Sequence, residues 1–96
     1  MRPPLSISCF ESLAFDPDRF DHETHVYIAR ELVLDAGQEE AAIRFARTLK
    51  ALTANLGVPG KYHETITRFY VLSIAERCRH SPGADWDAFK ALNPDL

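Results

Sequence analysis

Residues 38–55 read QEEAAIRFARTLKALTAN, and their apolar side chains fall at Ala42, Phe45, Ala46, Leu49 and Leu52, with Leu56 just beyond. Apart from the adjacent pair Phe45 and Ala46, the steps are of three or four residues, the period of an α-helix with one buried face rather than the period of a strand. This is the best amphipathic stripe in the chain, and it sets the expected fold class as all-α.

Working outward, Gly37 stands directly before the stripe and offers a left-handed stop for a helix over about 21–36. Asp21 is the natural cap of that helix, because its carboxylate can accept from the free amides of the first turn. On the other side, Gly57, Val58, Pro59 and Gly60 break the stripe, and a third helix is expected over about 62–79 before the Ser81, Pro82, Gly83 turn. A short helix over about 85–92 then puts Trp86, Phe89 and Leu92 on one side. Residues 1–20 read as irregular: Pro3 and Pro4 oppose regular structure, Cys9–Phe15 offers one or two helical turns, and Asp16, Pro17 and Asp18 form a turn. Phe10, Leu13, Phe15 and Phe20 are expected to pack as a lid.

Short connections between long helices favour antiparallel neighbours, so the three long helices should run up, down, up. The expected architecture is a small up-down bundle of three main helices, with a short C-terminal helix and an irregular N-terminal segment. At 96 residues it should form one domain with a narrow stability margin.

Composition excludes several classes. The chain is 46% hydrophobic and 26% charged, as in an ordinary globular domain, and its 10% aromatic content is too high for a disordered one. A net charge of −3 argues against nucleic acid as the main partner, which concentrated positive charge would attract. Arg44, Arg47 and Lys50 recur at steps of three and read as a solvated face. Only Cys9 and Cys78 are present, too far apart for a disulfide framework, and both are expected as small core residues in a reducing compartment. Cys78 with His80 resembles half of a metal motif but has no second pair beside it. Residues 1–9 are too short and too polar for a secretory leader, and no long apolar run follows, so a cytoplasmic protein with no membrane partner is expected.

Three histidines carry the functional question. On the helix over about 21–36, Glu23, Arg30, Glu31 and Asp35 share a polar face, opposite His22, His25, Ala29, Leu32 and Ala36. On the helix over about 62–79, Lys61, Glu64, Thr65, Arg68 and Arg79 lie opposite His63, Ile66, Thr67, Tyr70 and Ile74. All three histidines therefore fall on expected core faces, and the up-down-up order brings them to one end. A core-facing imidazole is costly unless its nitrogens are satisfied.

Two chemistries would satisfy them. His22, His25 and His63 would give a divalent transition metal (Zn, Fe, Ni or Cu) three ligands, with Glu23 or Glu64 as acid or base on a bound water. Alternatively, they form a buried polar network with Thr67 and Tyr70, and the protein is a non-enzymatic interaction module. A third reading captures a small anion at the paired helix starts, with Lys61 assisting; Lys61, Tyr62, Thr65, Thr67 and Tyr70 are the candidate ligand-binding residues of that end. Tyr27, near the polar side, is assigned to a homodimer surface or a pocket edge. No nucleophile motif, phosphate-binding glycine loop or H-E-x-x-H string is present, so the common hydrolase and nucleotide classes have no support.

The strings Phe20-Asp21-His22-Glu23-Thr24-His25-Val26 and Lys61-Tyr62-His63-Glu64-Thr65-Ile66-Thr67 resemble the two signatures of an uncharacterised family of small bacterial helical proteins. The end of the chain, from Trp86 through Phe89 to Asn93-Pro94-Asp95-Leu96, is similar too. The resemblance implies that His22, His25, His63, Glu64, Thr65 and Thr67 form a shared site, and it implies no particular activity.

Overall fold

Gly37 adopts φ 86°, a left-handed conformation open to glycine, and lets the chain reverse between two long helices within a single residue. The computed structural model describes residues 5–96, so the irregularity expected at Pro3 and Pro4 lies outside the described residues. Within them, α1 spans Ile7–Glu11, α2 His22–Ala36, α3 Gln38–Asn55, α4 Glu64–His80 and α5 Trp86–Leu92. Single 3-10 turns occupy Pro17–Arg19 and Pro59–Lys61, and no strand occurs among the described residues. The all-α bundle is thus as expected. No helix among the described residues is long and apolar enough to cross a membrane.

Helices α2, α3 and α4 pack against one another pairwise. The starts of α2 and α4 share one end, where His22 meets Tyr70, and Arg30, in the second half of α2, meets Ala84 just past the end of α4. The middle helix therefore runs the other way, as the short connections require. Asp21 caps α2 as its position suggests: its Oδ1 accepts from the Thr24 amide at 2.9 Å and from the Thr24 hydroxyl at 2.8 Å. Those bonds hold the Asp21 carboxyl below its usual range.

The N-terminal aromatics penetrate deeper than a lid. Phe10 is completely buried, with its ring stacked on Phe20 at 5.5 Å, Phe45 at 5.4 Å and Phe15 at 6.2 Å between centroids. Glu11 fixes the segment from outside by accepting two hydrogen bonds from Arg44, at 2.8 and 2.6 Å. At the other end, Arg77 donates to Asn93 at 2.9 Å and, in a two-pronged pair, to Asp95 at 2.8 and 2.7 Å. The chain after α5 is thereby tied to α4.

Two expected helix faces are corrected. Helix α2 has no continuous polar side: Val26, Tyr27, Ile28, Ala29 and Arg30 are all buried. Because α5 lies across the side assigned to solvent, Tyr27 meets Trp86 edge-on at 5.2 Å, and Arg30 lies over the Phe89 ring. Tyr27 is a core residue rather than a surface one. In α4 the buried residues are Val71, Ile74 and Ala75, while Ile66 is 66% exposed. On a wheel of 100° per residue, that face is turned by about 75° from the one expected through His63, Ile66, Thr67, Tyr70 and Ile74, with which it shares only Ile74. Cys9 also departs from expectation and is exposed, while Cys78 is partly buried; both are free thiols.

Candidate functional site

The three histidines occupy three different environments. His22 is the first residue of α2 and is exposed, with its Nε2 3.3 Å from the Tyr70 hydroxyl. The tautomer decides which of the two donates, so the contact serves a neutral imidazole of either kind. His25, one turn further on, is half-buried among aromatic rings, 4.1 Å from Phe20 and 6.1 Å, edge-on, from Phe45. Burial holds its pKa below the ordinary histidine value, nearby His22 lowers it further, and Asp21 opposes both.

His63 precedes α4 rather than lying in its first turn. The expected helix start at about Tyr62 is displaced to Glu64, because Pro59 opens a 3-10 turn that the Tyr62 amide closes on the Pro59 carbonyl at 3.2 Å. His63 is left as an extended residue before the helix, at φ −127° and ψ 103°, exposed and capping no amide with its side chain. A residue outside the helix does not follow the helical face assigned to it. Among the described residues, no three His, Cys, Asp or Glu side chains group so as to hold a metal ion.

The candidate acid–base residues are likewise dispersed. Glu23 is exposed and lies 3.5 Å from the Lys90 ammonium, while Glu64 lies 3.9 Å from Arg68 one turn along α4. Lys61 and Thr65 are exposed; Thr67 and Tyr62 are half-buried. The Tyr62 hydroxyl is sealed from solvent with no hydrogen-bond partner, and its pKa is raised, by burial first and then by Glu64. Burial also raises that of Tyr70.

Beside His22 lies a cleft of about 210 Å³, walled by Val26, Trp86 and Phe89 and edged by Glu23 and Lys90. The indole nitrogen of Trp86 is buried there without a partner, and Lys90 sits 5.3 Å above the Trp86 ring. At the histidine end of the bundle, His22 makes a polar contact with Tyr70 and His25 packs between the Phe20 and Phe45 rings.

The most exposed apolar residues lie elsewhere. Phe69 is 71% exposed and Ile66 66%, with Leu72 at 42% completing a row at steps of three along α4. Sequence patterning alone places Ile66 on the core side. The available signal was the competing row Val71, Ile74, Ala75 and Cys78, which also fits a helical stripe and is the one the fold buries. The chain matches no protein-family model, no curated protein and no solved structure.

Proposed function

We propose that the protein is a protein-interaction module that offers the first half of α4 to its partner, and that the partner is a second copy of the chain. One observation carries the reading: Ile66 and Phe69, large and apolar, stand 66% and 71% exposed on adjacent turns. Leaving such side chains in water forfeits burial free energy, and clustered exposure is the mark of an association surface. The row is also self-complementary. Because Ile66 and Leu72 stand three residues on either side of Phe69, an antiparallel copy sets Phe69 on Phe69 and each Ile66 on the other copy's Leu72. That is the isologous contact of a two-fold dimer, with an aromatic residue at its centre where binding energy concentrates.

In this reading the histidines serve the fold. His22 fastens α2 to α4 through Tyr70, and His25 fills the gap between Phe20 and Phe45. Sedimentation equilibrium of the parent and of Phe69→Ser tests the proposal. A reversible dimer in the parent, weakened at least about tenfold in the variant, is expected. A parent that stays monomeric up to about 500 μM, where a dimer of even about millimolar Kd would begin to register, overturns it.

A further inference from the structure

Arg30 is the one charged side chain that is buried among the described residues, at 6% exposure. It forms no ion pair with any of their carboxylates, and residues 1–4 contain none. Its Nη2 donates to the Ala84 carbonyl at 2.5 Å, its guanidinium carbon lies 5.3 Å from the Phe89 ring centroid, and its Nε is sealed off with no partner. A carbonyl and an aromatic face return only part of what it costs to take a cation out of water. A counter-ion would return much of the rest.

The side chain lines a pocket of about 170 Å³ between α2 and the turn that joins α4 to α5. Leu34, Pro82, Ala84 and Phe89 form apolar walls, and Cys78, Ser81 and Gly83 complete the lining. The Ser81 hydroxyl is already committed, donating to the Arg77 carbonyl at 2.8 Å. A single guanidinium among mostly apolar groups suits a monoanion with a small apolar body, whereas a phosphate dianion would keep a charge and several acceptors unanswered. The planar fork of arginine matches a carboxylate in particular. We infer that this pocket binds a small monocarboxylate, its carboxylate on Arg30 and its apolar part against Leu34, Pro82 and Phe89.

Thermal melting and calorimetric titration with acetate, butyrate and benzoate, against chloride and phosphate at matched ionic strength, test the assignment. In the parent, at least one carboxylate should raise Tm saturably, and chloride and phosphate should not. Arg30→Met should bind that carboxylate at least about tenfold more weakly, as loss of a charge-assisted bond implies. Should Arg30→Met fail to fold, Leu34→Glu decides: residue 34 lies one turn from Arg30 and is 57% exposed, so the new carboxylate can act as a tethered counter-ion. That variant should melt higher than the parent and lose the response to added carboxylate. The inference is overturned if carboxylates stabilise the parent no more than chloride does, if phosphate does as well as they do, or if Leu34→Glu responds like the parent.

Discussion

Helix α2 and the first half of α4 both carry large apolar side chains and use them in opposite ways. In α2, five consecutive residues from Val26 to Arg30 are buried, because α1, α3, α4 and α5 each take a side. Between Glu64 and Tyr70 no residue is fully buried, although Ile66 and Phe69 are as apolar as anything in α2. The contrast separates apolar side chains that hold the fold from apolar side chains left over once the fold has formed. Stability should respond to the first set and association to the second.

The largest expected effect lies within the core that encloses α2. Ile28→Ala or Phe10→Ala, at positions with no exposure, should cost about 2–5 kcal/mol in urea unfolding. Phe69→Ala should change monomer stability by no more than about 0.5 kcal/mol. A large loss from Phe69→Ala, measured on the dilute monomer, would erase the distinction between the two regions.

The histidines sharpen the same contrast through pH. Because burial lowers the His25 pKa below 6.5, its unfolded form binds protons more readily, and its contribution is fully present above that value. Stability should therefore decline as pH falls below 6.5 and through the folded pKa. His25→Phe, which keeps an aromatic ring between Phe20 and Phe45, should remove that part of the decline, whereas His63→Ala should leave it. Chemical denaturation at a series of pH values reads both.

At lower pH the clamp after α5 should give way. Arg77 holds the Asp95 carboxyl down to about 2 from 3.8, so the stabilisation is complete above 3.8 and is lost as pH falls through about 2. Asp95→Asn should show the loosened terminus already at neutral pH, detectable as faster amide exchange in α5. The smallest expected effect concerns metals: added Zn, Ni, Cu or Fe(II) should shift Tm by less than about 1 °C, since a tight native-state ligand would shift it far more. Metal retained near stoichiometry by the parent and lost in His63→Ala would instead return the three histidines to one site.

Local signals in the sequence carried the architecture well. Gly37, the Asp21 cap and the 38–55 stripe act within a few residues, so they marked the boundaries of α2 and α3 without reference to anything distant. The orientation of α4 was less legible because two helical stripes overlap within it, and only packing against α2 and α3 selects between them. The burial of Tyr27 and Arg30 depended on where α5 lands, which no local pattern in α2 reports. Even so, the nearly unbroken apolar run from Val26 to Ala29 was a readable sign of a helix enclosed on every side. The start of α4 was misplaced for a smaller reason: a 3-10 turn at Pro59–Lys61 puts His63 before the helix rather than in its first turn.

The most direct measurement is a dilution series of amide NMR spectra on the isotopically labelled parent. Concentration-dependent shifts concentrated between residues 62 and 73 are expected if the exposed row on α4 pairs with its own copy. Shifts that are absent at every concentration, or that centre on the cleft between His22 and Trp86, would contradict it.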